Sequence, residues 1–251
     1  MRVIAIIQAR MSSTRLPGKV LAGICGHPML WHVLQRVRAM RRLDGIVLAI
    51  PETLADDCLM ELAQKWGVDC VRGSEYDVLD RYRKAADWAR ADVIVRVTAD
   101  CPLFDPDIGN RALMRYLVTI PDYVCAGAGR IGETELGFPW GTDVEIFPYR
   151  VLDYVWRNAI TSYEHEHVTP YIYEHPELFK LGLVEPIGKE RQPNLRLCVD
   201  TEEDLTMVGE IYNNLYREGA KPFTLNAVVD FLDNHPEIAK VNTHIRQKEA
   251  M

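Results

Sequence analysis

Three cations, Arg10, Arg15 and Lys19, fall within one short segment that reads Gln8-Ala9-Arg10-Met11-Ser12-Ser13-Thr14-Arg15-Leu16-Pro17-Gly18-Lys19. Fixed cations beside a row of loop amides are what a triphosphate requires, because they neutralise its charge and donate hydrogen bonds together. Two aspartates, Asp100 and Asp200, each follow an apolar run, Val93 to Val97 and Leu195 to Val199. Two carboxylates facing a triphosphate suit Mg2+, a hard ion that takes carboxylate and phosphate oxygens. Such an ion bridges phosphate oxygens and offsets charge as phosphorus is attacked. Either aspartate alone also serves as a helix cap. The loop differs from a Walker A motif, since Ser13 fills the first glycine position and Val20 follows Lys19.

These residues need elements that bring them to one place. Val3 to Ile7 is apolar throughout, the pattern of a strand buried on both faces in a parallel sheet. A loop leaving the carboxyl end of such a strand is where open α/β sheets bind ligands. Pro28 to Leu43 carries Leu30, Val33, Leu34, Val37 and Met40 on one stripe and predicts a helix, with Arg36, Arg38, Arg41 and Arg42 on its solvent face and last turn. Strands follow at Gly45 to Ile50, Val68 to Val71 and Asp92 to Val97. They alternate with helices at Leu54 to Trp66, Asp77 to Arg90 and from Asp105 onward. The alternation predicts an α/β, doubly wound, mostly parallel sheet. Asp100 and Asp200 then emerge at the same carboxyl edge as Arg10 to Lys19, with Leu195 to Val199 as a strand and Thr201 capping the next helix.

From about residue 127 to 190 the rhythm changes. A glycine-bearing loop precedes a strand at Asp143 to Phe147, a helix at Arg150 to Asn158 and another at Ser162 to Glu174. The chain reads as one domain, 1–251, in which this stretch is an insertion for acceptor binding or dimer contact. Its candidate acceptor residues are Trp140, Asp143, Glu145, His165, His167 and Tyr171, since rings, acids and imidazoles suit a hydroxylated or amino-bearing ligand. His165 and His167 stand two apart on a helix, which turns them about 200° from each other and disfavours a shared metal.

At 251 residues, with 48% apolar and 26% charged side chains, the composition is that of an ordinary globular protein. No apolar run reaches the roughly 20 residues of a membrane helix, and the first strand begins at residue 3, before a signal peptide would end. Six cysteines without a C-x-x-C pair suggest free thiols in a reducing cytoplasm. Net charge is −7, yet Met1 to Leu43 holds eight Arg or Lys and no acid. That asymmetry suggests a local anion site rather than a nucleic-acid surface.

The loop resembles the signature of the CMP-sugar cytidylyltransferases, the group of the KDO and acylneuraminate enzymes, with the spore coat polysaccharide branch the nearest likeness. Ala99-Asp100-Cys101-Pro102 resembles that group's Gly-Asp-x-Pro metal segment, with Cys101 where KDO enzymes carry Glu. Val199-Asp200-Thr201-Glu202-Glu203-Asp204-Leu205 resembles their Val-Asp-Thr-x-x-Asp-Leu. Arg72 to Arg81 resembles the base and ribose segment, in which Asp80 and Arg81 match and the preceding small residues do not. The resemblance implies a nucleotide-diphospho-sugar transferase-like, Rossmann-like fold, with CTP as donor, a small sugar-like acceptor and a homodimer. It implies a nucleotide site of Ala9, Arg10, Ser12, Arg15, Lys19, Arg72, Asp80 and Arg81, Mg2+ on Asp100 and Asp200, and catalysis by Arg10, Lys19 and Asp100. Three readings compete: a nucleotide-sugar glycosyltransferase, whose Asp-x-Asp site would be Asp105-Pro106-Asp107; a cytidylyltransferase for a small phosphonate or phosphorylated acceptor; and a nucleotide-binding module without turnover.

Overall fold

A computed structural model describes residues 1–131 and 134–246, built around one seven-stranded sheet. In strand β1 (Val3–Gln8), Val3, Ala5 and Ile7 enter one core layer and Ile4 and Ile6 the other, so every position up to Ile7 is apolar. A two-residue hairpin, β2 (Gly23–Ile24) and β3 (His27–Pro28), leads into helix α1 (Met29–Arg38). The chain continues through β4 (Gly45–Pro51), α2 (Asp57–Lys65), β5 (Asp69–Gly73), α3 (Val78–Ala89) and β6 (Val93–Thr98). Strands β4 and β6 flank β1 in parallel, with Gln8 beside Ala49 and Thr98, and β5 extends the sheet beyond β4. Four parallel strands therefore end at one edge, and the loop bearing Arg10 to Lys19 leaves from one of the inner two.

Helix α4 (Pro106–Thr119), capped by Asp105, leads to β7 (Tyr123–Ala126) and a small hairpin, β8 (Arg130–Ile131) with β9 (Thr134–Glu135). Strand β10 (Val144–Pro148) lies antiparallel between β6 and β7. Helices α5 (Tyr149–Asn158), α6 (Ser162–His167) and α7 (Pro170–Glu174) precede β11 (Leu181–Leu183), which joins β7 in parallel. The sheet order is β11-β7-β10-β6-β1-β4-β5. The expected mostly parallel sheet is present, with β10 its one antiparallel member. Residues 127 to 190 supply β10 and β11 to the sheet itself, so part of that stretch belongs to the central layer. Helices α8 (Glu202–Leu215), α9 (Leu225–Asn234) and α10 (Pro236–Ala239) complete the chain. No helix among the described residues is long and apolar enough to cross a membrane.

Three local expectations are corrected. Leu195 to Val199 is no strand of the sheet. Its backbone alternates between Trp140 and Asp100: Trp140 N–H donates to Leu195 O, Leu197 N–H to Trp140 O, and Val199 N–H to Asp100 O. Because β10 runs against β6, the start of one and the end of the other share an edge, and this segment seals it. Leu197 and Val199 are buried there, which accounts for the apolar run. The helix expected over Ser162 to Glu174 is two, broken where Val168 adopts φ 72°. Arg36 does not face solvent. It is buried, donates to Tyr212 Oη and to the carbonyls of Phe104 and Phe223, and stacks 4.2 Å from the Phe223 ring centroid. A basic residue one turn from the helix end looks solvated in sequence, but here the packing of α8 and the α8–α9 connection closes over it.

Gly141 sits at φ 95°, where an added Cβ would stand 2.3 Å from Cys198 N and 2.6 Å from the Leu197 carbonyl carbon. Gly141→Ala is expected to lower stability by about 2 kcal/mol or more, since strain and a backbone clash combine, read as a reduced urea midpoint. His32, on the inner face of α1, is buried with Nε2 donating to Ile24 O at 2.7 Å. Burial lowers its pKa from 6.5 to about 4, so between those values the unfolded chain binds more protons than the folded one. Stability is therefore expected to fall by about 3 kcal/mol as pH drops from 6.5 to 4. His32→Gln should flatten that part of the Tm–pH curve.

Candidate active site

The signature loop is shaped by its own backbone. Met11 O accepts from Ser13 N and Gly18 N, and Gly18 closes the turn at φ 71°. From below, the fully buried Asp56 accepts the Met11 N–H at 2.8 Å and the Thr53 hydroxyl at 2.6 Å. Ser12 Oγ donates to Glu75, which ties the loop to the segment after β5. Among the described residues the amides of Ser12, Thr14 and Arg15 meet no acceptor in the chain, leaving donors of the kind that bind anions. Val20, buried behind Lys19, anchors the exit of the loop.

Lys19 Nζ lies 2.8 Å from Asp200 Oδ1, 3.3 Å from Asp100 Oδ2 and 2.8 Å from Val199 O. Burial opposes its charge, but the two carboxylates outweigh it and the ammonium's pKa is raised. Asp200 Oδ2 is taken by Arg15 at 2.8 Å and by Arg196 at 2.6 Å. Burial again opposes the charge, yet Lys19, Arg15 and Arg196 together hold the Asp200 carboxyl below its ordinary range. Thr98 donates to Asp100 Oδ1 at 2.5 Å. The sequence thus placed Arg15, Lys19, Asp100 and Asp200 in one cluster, and the structure gathers all four.

Arg196 and Asp204 complete that cluster and were not anticipated as site residues. Arg196 is buried, donates from Nε to Asp204 Oδ1, and is backed by Asn242, which reaches Asp204 and the Arg196 carbonyl. Asp204 Oδ2 accepts the amides of Asp200 and Thr201, so one carboxylate caps α8 and fixes the backbone at Asp200. The signal was a single arginine inside the apolar run Leu195-Arg196-Leu197-Cys198-Val199, since a lone charge in buried company needs a buried partner.

A second cluster stands beside Arg10. Its guanidinium pairs with Glu166 at 2.9 Å, and both charges act on the buried Arg81 and on His167. Burial, and then the field of Arg96, lower the His167 pKa. Glu145 accepts from Tyr123 Oη, from Thr169 Oγ1 at 2.7 Å and from Arg96, whose other amine donates to Gln8. Arg10, Arg81, Glu145 and His167 are therefore neighbours, with Glu166 and Arg96 added by the fold. Ala9 is buried at the root of the loop.

The remaining candidates take partners within the chain. Arg72 pairs with Asp57 at 2.7 Å and donates to Thr53 O. Asp80 accepts from Trp156 Nε1 and pairs with Lys84, turning toward α5. Trp140 packs over Gly129, and the half-buried Asp143 accepts the amides of Ala128 and Gly141; loss of solvent around the carboxyl raises its pKa. His165 Nδ1 meets Asp77 at 2.9 Å and Nε2 meets Ala159 O, and although burial opposes it, Asp77 raises the ring's pKa. Tyr171 stacks on His175. His165 and His167 contact different partners, as their spacing implied. Asp105-Pro106-Asp107 is a helix cap: Asp105 is buried and accepts the amides of Asp107 and Leu225. A cavity of about 340 Å³ between α1 and α8, lined by Trp31, Arg36, Tyr212 and Phe223, shares none of the signature residues.

Residues 4–230 match the family profile described as cytidylyltransferase. The uncharacterized protein MJ1063 of Methanocaldococcus jannaschii is 36% identical over 99% of this chain and 97% of its own length. The spore coat polysaccharide biosynthesis protein SpsF of Bacillus subtilis is 32% identical, covering 94% of this chain and 96% of its own. The solved structure of a cytidylyltransferase from Leptospira borgpetersenii superposes with a TM-score of 0.86 at 30% identity, covering 96% of this chain and 97% of that one. With a profile spanning nearly the whole chain, relatives matched end to end, and the cationic loop and paired aspartates at one sheet edge, this chain is a member of the cytidylyltransferase family of nucleotidyltransferases.

Proposed function

We propose that the chain is a Mg2+-dependent cytidylyltransferase that joins CMP from CTP to an acidic or amino sugar, releasing pyrophosphate, for synthesis of a surface polysaccharide. The observation that carries the reading is the convergence of Asp100 and Asp200 on Lys19 at the mouth of a loop with Arg15 and free amides. A metal–triphosphate complex supplies what both sides want, anionic oxygens for the loop and a cation for the carboxylates. Magnesium fits this donor set, since it takes one or two carboxylates from a protein and completes its shell with phosphate and water. Asp100 Oδ2 and Asp200 Oδ1, the oxygens that face Lys19, would hold the ion. When bound, the ion neutralises phosphate charge as the pyrophosphate leaves.

The chain's own residues then do the positioning. Arg15 and the loop amides hold the triphosphate. Lys19 and Arg10 stabilise charge developing at the phosphates while an acceptor hydroxyl attacks the α-phosphorus, displacing pyrophosphate. Such transfer rests mainly on alignment and electrostatics. The cluster of Arg10, Arg81, Arg96, Glu145, Glu166 and His167 offers both charges to a hydroxylated acceptor. Exposed Tyr154, Ile160 and Leu178 support pairing of two copies, and six free cysteines support a reducing cytoplasm. The glycosyltransferase reading loses its metal site, because Asp105 is committed to capping α4 and Leu225.

Thermal unfolding with CTP, UTP, ATP, GTP or UDP-glucose, each with and without Mg2+, tests the donor. At about 100 times Kd, CTP is expected to add roughly 2.7 kcal/mol, a rise of about 5–10 °C, and only with Mg2+. A larger shift with UDP-glucose, or none with any nucleotide, would overturn the reading. Lys19→Ala is expected to keep its fold by circular dichroism and lose on the order of 10²-fold or more in pyrophosphate release.

A further inference from the structure

Each oxygen of the Asp100–Asp200 pair already has a role. Asp100 Oδ1 accepts from Thr98, and Asp200 Oδ2 accepts from Arg196 and Arg15. The two oxygens left, Asp100 Oδ2 and Asp200 Oδ1, are the two that Lys19 Nζ occupies. The Val199 carbonyl takes the third contact at 2.8 Å. An ammonium has three N–H donors and no acceptor, so this one is saturated by protein oxygens, on a side chain only 11% exposed. A divalent ion drawing on the same two oxygens meets the repulsion of a cation that already holds them.

We propose that Lys19 is the resident cation of the Asp100–Asp200 pair, holding the divalent ion's place until a triphosphate draws it away, so that metal enters with the nucleotide and not before it. The proposal rests on the metal-assisted nucleotidyl transfer argued above and adds an order of binding. Lys19 gives up two carboxylate contacts and one carbonyl contact only when phosphate oxygens on the adjacent loop replace them. The carboxylates stay aimed meanwhile. Asp200 is fixed from behind by the buried Arg196, itself braced by Asp204 and Asn242, and Asp100 is fixed by Thr98. The device spares the free enzyme two facing carboxylate oxygens without a cation between them, which would repel each other and draw in whatever divalent ion was present.

Mn2+ titrations followed by electron paramagnetic resonance, without nucleotide, read this directly. Lys19→Gln, and Lys19→Met as a second neutral variant should one fail to fold, are expected to bind Mn2+ at least tenfold more tightly than the unsubstituted protein. Adding Asp200→Asn to Lys19→Gln is expected to abolish the gain. Arg15→Gln is the control for general charge, since Arg15 holds the other Asp200 oxygen; it is expected to tighten Mn2+ by less than threefold. Equal affinity in Lys19→Gln and the unsubstituted protein would overturn the proposal, as would an Arg15→Gln effect as large as that of Lys19→Gln. The functional reading is separable. If CTP shifts Tm only with Mg2+ while Lys19→Gln gains nothing for Mn2+, the place-holding fails and the nucleotidyl transfer stands. If no form retains Mn2+ and CTP produces no shift, both fall.

Discussion

One carboxylate ties the site to the fold. Asp200 is held by Arg15 and Lys19 from the signature loop and by Arg196 from its own segment. Each of the three cations offsets part of this buried charge, which left wholly uncompensated would be among the costliest defects a protein can carry. The arrangement extends inward in layers, from Asp200 to Arg196, to Asp204, to the α8 amides and to Asn242. Positions at the sheet edge are thereby braced by buried hydrogen bonds, although they lie on loops. A site whose task is alignment depends on that rigidity.

The antiparallel strand β10 is the second constraint. In an all-parallel sheet the residues before β10 would sit at the opposite edge from Asp100. Reversal of β10 brings Trp140 next to the end of β6, and the segment 195–199 bridges the two. Asp200 consequently reaches the active edge without belonging to a strand. The same reversal puts Glu145 opposite Arg96, where Tyr123 and Thr169 complete a buried polar group beneath Arg10 and His167.

Much of this was legible in the residues. Unbroken apolar runs located β1, β4 and β6, and the spacing of Arg10, Arg15 and Lys19 located the loop that leaves β1. Asp100 followed from its place after β6. Asp200 was placed at the right edge by a wrong element, since buried extended backbone and a buried strand share one pattern and differ only in partners remote in sequence. Arg36 was misjudged for a related reason, because a charge is read as solvated until the segments covering it are known, and Arg196 was passed over inside an apolar run. Arg72 and Asp80 sit at suitable positions along the chain, but their rotamers are claimed by Asp57, Trp156 and Lys84. Which of several local partners a side chain takes is decided by packing, and no single position encodes it.

The contact between Lys19 and the Val199 carbonyl spans 180 residues of chain. Its consequence lies in the order of synthesis. While the ribosome is still making the second half of the protein, the signature loop has emerged, and β1, β4, β5 and β6 can already pair. The carboxylate that completes the site has not yet been made. Contacts of such separation form late because closing long loops is entropically slow to be rewarded. A nascent or truncated chain therefore carries a cationic loop with no second aspartate until Asp200 has been made.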